Sequence, residues 1–251
     1  MLQAYRKSEI TFLRAPALER IPEVVHAFST RRADSNHFTL GSEGPGVGES
    51  RGRFLAAVGI PGWPIVRLRQ IHSNIVHSVS ENQEANDAKD GDAAYTARGG
   101  LVLGVVTADC VPILVAESGG RGVGVVHAGW RGTSEGVARR TIDAMVGELN
   151  LDPGDLVAVM GPHIGVCCME VGEEVFDWFA DPDVFERKPE WEKPHLKLAE
   201  ANRRQLLGAG LDPENVTASS LCTKCRPDLF HSYRRDGEES GRMFSLVGLA
   251  P

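Results

Sequence analysis

The sequence predicts an α/β fold with mixed sheets in a single domain, on three observations. Short β-branched apolar runs recur along the chain, the segments between several of them carry apolar residues at three and four spacing, and 251 residues at 42% hydrophobic bury a full core without a disulfide framework.

In order along the chain, residues 65–68, 101–106, 111–116, 122–126 and 156–160 are short, apolar and rich in Val, Ile and Leu, as strands buried on both faces are. Helices fit the gaps. Thr133 or Ser134 is the predicted N-cap of a helix running to about Leu149, and residues 170–179 and 196–207 show helical spacing. Residues 42–52, rich in Gly and Glu, and residues 81–91, polar and charged, read as surface loops. Neither is long enough for a linker, and no repeat or low-complexity tract occurs, so residues 1–251 are expected to form one domain.

A formal charge of −7 and a pI near 5.6 supply no broad basic footprint for nucleic acid. A small substrate, anionic where a local basic pocket receives it, fits better. The first sixteen residues mix Arg6, Lys7, Glu9 and Arg14 with apolar positions and offer neither a signal-peptide core nor a membrane anchor, and no apolar run approaches spanning length. Five cysteines, with Cys167 and Cys168 adjacent, argue against structural disulfides and for a reducing compartment, so a cytoplasmic protein is expected.

Most of the eight histidines should be structural. Position separates three residues from the rest. His127 closes the run at residues 122–126 and opens His127-Ala128-Gly129-Trp130-Arg131-Gly132, a small-residue turn at the kind of strand end that carries chemistry in α/β proteins. Cys110 lies in Thr107-Ala108-Asp109-Cys110-Val111-Pro112, where a polar pair and a proline interrupt two apolar runs; the residues alone allow a functional thiol or a small buried hydrophobe. His72 follows the first apolar run in Arg69-Gln70-Ile71-His72-Ser73.

Those phrases occur together with Gly161-Pro162-His163-Ile164-Gly165, Cys167-Cys168-Met169-Glu170-Val171-Gly172, Ser232-Tyr233-Arg234-Arg235-Asp236-Gly237 and Gly241-Arg242-Met243. In this the chain resembles the laccase-domain family, once called multicopper polyphenol oxidases and now described as purine nucleoside phosphorylases. The resemblance runs from about His26 to Leu249. It implies two packed mixed sheets flanked by helices, an α-β-β-α arrangement similar to the catalytic fold of cytotoxic necrotizing factors. It also implies that His72, Cys110 and His127 bind one zinc ion. A thiolate and two imidazoles suit tetrahedral zinc and leave the fourth position open, which is the catalytic count.

The implied activity is phosphorolysis of adenosine, inosine, guanosine and S-methyl-5'-thioadenosine, with adenosine deamination. The expected partners are a purine nucleoside and phosphate, without nucleic acid or membrane, and the chain is expected as a monomer or homodimer. Arg69, Arg131, Arg234 and Arg235 are candidate phosphate ligands, because the guanidinium fork matches phosphate oxygens. Asp109 and His163 are candidates for the acid that protonates the departing purine. Thr39 stands where the family commonly has Asn, in a segment, residues 38–45, that the resemblance places at the edge of the site.

Copper is the alternative metal. A multicopper oxidase needs roughly ten histidines with paired His-x-His motifs; this chain has eight and no such pair. The resemblance also implies a second alternative, a Cys-His amidohydrolase, for example one editing cell-wall precursors, in which Cys110 is the nucleophile and His127 its base. Cys222-Thr223-Lys224-Cys225 has the spacing of half a zinc ribbon, but adjacent Cys167 and Cys168 are not expected to supply the other half.

Overall fold

The computed structural model describes residues 1–33, 38–41, 46–80 and 89–251. Two six-stranded mixed sheets form its centre. In the first, the spatial order is Gln3–Lys7, Ile10–Arg14, Val24–Ser29, Met243–Leu249, Leu101–Thr107 and Ile65–Arg67. In the second it is Val216–Ala218, Leu156–Met160, Val111–Glu117, Val123–Ala128, Ala93–Thr96 and Val76–Ser78.

The alternation of side chains along the central strands sets the layers. Leu101, Leu103 and Val105 point between the sheets, where they meet Leu114, Ala116, Val123, Val125 and Val159 from the second sheet. The opposite faces are also covered. Val102, Phe244 and Leu246 pack on Phe54, Leu55 and Val58 of helix Val47–Val58, while Val111, Ile113 and Val115 pack with Ile142 and Met145 of helix Val137–Leu149 and with Leu206 of helix Leu198–Gly208. Burial on both faces explains why these strands read as continuous apolar runs rather than alternating ones. Each fully buried Leu or Val contributes about 1.5–3 kcal/mol. The four-layer α-β-β-α expectation holds.

Several local expectations are corrected. Residues 47–52 are the first half of helix Val47–Val58, not loop; Gly48 and Gly52 weaken the helical signal, which the burial of Phe54, Leu55 and Val58 overrides. Residues 42–45 and 81–88 lie outside the described residues. The helix predicted from Thr133 or Ser134 is broken: Trp130–Ser134 forms one short helix, and Val137–Leu149 begins after Gly136, whose φ of +83° admits glycine readily. Residues 170–179 form no α-helix. Glu170 bridges to His195, and only Glu173–Trp178 coil into a 3-10 turn.

Candidate metal centre

The sheets place the site where the chain passes from one to the other. Thr107 ends a strand of the first sheet, Val111 begins a strand of the second, and Cys110 sits in the crossing. His127 lies near the end of the neighbouring strand, in register with Pro112. His72 follows Ile65–Arg67, which pairs in parallel with Leu101–Thr107. Three residues far apart in sequence thus meet: one donor atom each of His72, Cys110 and His127 lies within 4.8 Å of the others, and Cys110 Sγ is 3.9 Å from His72 Nε2.

Asp92, which the sequence reading missed, holds this group in place. It is fully buried and accepts from the His127 ring at Nδ1 (2.7 Å), the Ser73 hydroxyl (2.7 Å) and the backbone amides of Ile71 (3.2 Å), His72 (3.1 Å) and Ser73 (2.6 Å). Burial opposes its charge, but the bonds from His127 and Ser73 prevail and hold the carboxyl down at about 2. The Nδ1 contact leaves His127 Nε2 free to face Cys110, and Asp92 separately fixes His72 by accepting from its backbone amide. The only signal was polar Asp92 directly before the apolar run 93–95.

The same site carries backbone strain. His72 and Asp109 adopt φ of +61° and +96°, which non-glycine residues avoid unless their surroundings enforce it. Gly129 supplies space: a Cβ there meets the His72 ring at 2.7 Å and Cys110 Sγ at 3.2 Å. Burial opposes the Cys110 thiolate, but His127 and His72 overcome that opposition and bring the thiol down to about 6; burial likewise opposes the His127 cation, while Cys110 and Asp92 lift it to about 9. The pair favours the thiolate, the form that binds metal and acts as a nucleophile.

A cavity of about 860 Å³ opens over these donors, within the range of small-molecule sites. Arg69, Arg131 and Arg234 line it, as do Trp130, Tyr233 and Arg242, none of which the sequence reading assigned to the site. Arg69 pairs with Asp90, and Arg234 donates to the Glu170 carbonyl (2.8 Å). Arg131 lies 4.4 Å over the Trp130 ring and has no acidic partner among the described residues. Arg235 is turned away. Its guanidinium donates to the Thr223, Lys224 and Phe230 carbonyls and pairs with Asp236.

Both candidate acids are held by the fold. Asp109 accepts from the Thr223 hydroxyl (2.6 Å), the Ser232 hydroxyl (3.0 Å) and the Arg234 amide (2.6 Å), so its carboxylate ties three loops together at the cavity wall. His163 is buried, bonds the Gly161 carbonyl through Nδ1 (2.8 Å) and does not line the cavity; burial pushes its pKa down. Thr39 accepts from the Arg242 amide (2.9 Å), which connects the departing segment to a cavity residue.

The four remaining cysteines overturn a geometric expectation. Cys167, Cys168, Cys222 and Cys225 converge, all four Sγ atoms within 4.8 Å of one another. Adjacent residues diverge in a strand but not in a tight turn, and here the Cys168 and Met169 amides both donate to the Gly165 carbonyl.

Residues 28–250 match the family model described as multi-copper polyphenol oxidoreductase laccase. The chain belongs to that family. It is 37% identical over 250 residues to a purine nucleoside phosphorylase of Deinococcus radiodurans, covering 96% of this chain and 93% of the relative. It is 34% identical to adenosine deaminase RL5 of an unknown prokaryotic organism, covering 90% and 94%. Among solved structures, YlmD from Geobacillus stearothermophilus superposes with a TM-score of 0.87 at 29% identity, covering 100% of this chain and 99% of that one. No helix among the described residues is long and apolar enough to cross a membrane.

Proposed function

We propose that this protein is a zinc-dependent purine nucleoside phosphorylase that acts on adenosine, inosine, guanosine and S-methyl-5'-thioadenosine and also deaminates adenosine. The carrying observation is the His72, Cys110 and His127 donor set opening onto a cavity that joins arginines to aromatic rings. The names of the relatives support the same reading.

The donors fit zinc. Tetrahedral zinc with N and S ligands spaces its donors by roughly 3.3–3.8 Å, close to the His72–Cys110 separation of 3.9 Å. Asp92 behind His127 is the carboxylate partner that metal-ligating histidines commonly have. When bound, zinc supplies a Lewis acid and acidifies water beside the substrate. Copper remains a competitor for the same donors, and a metal-edge X-ray measurement on the purified protein distinguishes the two.

The chain's own residues do the rest. Arg131 receives phosphate, assisted by Arg69, Arg234 and Arg242, because charge-assisted bonds from a planar fork orient the anion for attack on the ribose. Tyr233 and Trp130 cover the purine and exclude water. Asp109 is assigned to positioning, since its carboxylate already accepts three bonds that set the Arg234 backbone, and Arg235 and His163 hold loops. A single domain, a cytoplasmic setting and a monomer or homodimer complete the reading.

A Cys-His amidohydrolase is the second reading, favoured by one observation: Cys110, His127 and Asp92 line up as nucleophile, base and orienting carboxylate. Adenosine with and without phosphate separates the two. Adenine and ribose 1-phosphate form only with phosphate under the first reading, and inosine accumulates without it. Inert adenosine together with Cys110-dependent hydrolysis of an amide by metal-free protein selects the second.

A further inference from the structure

Behind the cavity wall, the turn at residues 165–168 faces the turn Cys222-Thr223-Lys224-Cys225, and the four thiols converge between them. We propose that Cys167, Cys168, Cys222 and Cys225 form a second metal site, a tetrathiolate that binds zinc and clamps the two loops supporting the catalytic cavity.

The sulfur spacing is that of a metal site rather than of disulfides. Zinc–sulfur bonds of about 2.3 Å in a tetrahedron put sulfurs about 3.8 Å apart. Cys225 Sγ lies 3.7 Å from Cys167 Sγ and 3.4 Å from Cys168 Sγ. Bonded sulfurs stand about 2.05 Å apart. Four sulfurs with no histidine or carboxylate among them select a soft, tetrahedral ion.

The backbone supplies a donor to one of these sulfurs as well. The Gly165 amide donates to Cys222 Sγ (3.2 Å), the kind of bond that stabilises a coordinated sulfur. Gly165 permits that approach, because a Cβ there meets Cys167 Sγ at 3.2 Å and Cys222 Cβ at 3.3 Å. The Arg226 amide closes the second turn on the Cys222 carbonyl (3.1 Å).

The two turns share partners with the first site. Thr223, inside the second turn, bonds Asp109, the neighbour of Cys110. Arg235 grips the Thr223 and Lys224 carbonyls, and Arg234 of the cavity donates to the Glu170 carbonyl just beyond the first turn. Joining the turns through a metal therefore stiffens the wall that carries Asp109 and Arg234. The site is structural, since four protein ligands leave no position for substrate.

The test is metal analysis with zinc-edge X-ray absorption on the full chain, purified with reductant and zinc. The parent is expected to hold two zinc equivalents, and its spectrum to include an all-sulfur component. Cys110→Ala is expected to keep one equivalent, with a purely sulfur shell. Cys222→Ser with Cys225→Ser is expected to keep the other, with a mixed nitrogen and sulfur shell. One equivalent in the parent with no all-sulfur component overturns the proposal, as does zinc-loaded parent whose four thiols all react with an alkylating reagent as fast as free cysteine. The parent's spectrum decides the matter even if the double variant does not fold. Loss of the first site alone leaves this result intact, so failure of the phosphorylase reading is seen separately.

Discussion

Replacing Asp92 by Asn changes one atom and tests whether the site is organised from behind. The carboxylate accepts five bonds, whereas the carboxamide offers one oxygen and two N–H groups. If the amide oxygen stays on His127 and the His72 amide, the NH2 group faces the amide donors of Ile71 and Ser73. Two bonds to a charged acceptor are then lost, at about 1.5–3 kcal/mol each, for a total of about 3–6 kcal/mol. If the amide is flipped, its NH2 meets His127 Nδ1 and drives the ring to the tautomer with a proton on Nε2, which removes a metal ligand. Either way zinc binding weakens, by about 10–100-fold for the loss of such a partner. For a chain of this size, at about 2–4 °C per kcal/mol, the expected fall in Tm is about 6–24 °C. Thermal unfolding of the metal-free protein and zinc titration against a chromophoric chelator measure the two effects. A variant with the parent's Tm and a zinc Kd within twofold of the parent's refutes the argument that Asp92 organises the site.

Further outcomes follow from the same geometry. Gly129→Ala is expected to cut zinc content at the first site, because its Cβ displaces the His72 ring or Cys110 Sγ; metal analysis checks it, and full occupancy contradicts the close approach. Arg131→Ala is expected to raise the phosphate KM or to depress phosphorolysis by about tenfold or more while sparing deamination, which uses no phosphate, whereas His72→Ala damages both; equal losses in both reactions from Arg131→Ala remove its phosphate role. Burial pushes His26 down to about 3, and its Nε2 accepts from the Ala15 amide, so the folded protein keeps this ring neutral. Below about pH 6.5 the unfolded chain takes up a proton that the folded chain refuses, so stability is complete above that pH and declines toward about pH 3. In His26→Gln, Tm should fall less steeply across that window, and an unchanged slope assigns the acid sensitivity elsewhere.

Periodicity and residue type were enough for the fold class, because the central strands are buried on both faces and announce themselves as apolar runs; the strand Leu156–Met160 begins and ends where its sequence predicts. Helix Val47–Val58 was hidden by its glycines, and the helix after His127 was predicted unbroken because the left-handed turn at Gly136 leaves no hydrophobic trace. His72, Cys110 and His127 were recognisable from phrases with known relatives, not from spacing, since each stands at a different strand end.

What the sequence by itself determined was therefore the set of buried strands and the chemistry of the donors it carries. Tertiary structure alone decided which of them meet. Asp92 became the hub of the site only when strand pairing brought residue 127 beside residue 92, and Arg235 left the candidate phosphate ligands only when its donors found loop carbonyls. Adjacency of Cys167 and Cys168 argues against a four-cysteine cluster in extended chain, and that rule fails in the turn that Gly165 closes. Long-range pairing fixes such neighbourhoods, and pairing depends on the burial of whole sheets rather than on any local run of residues.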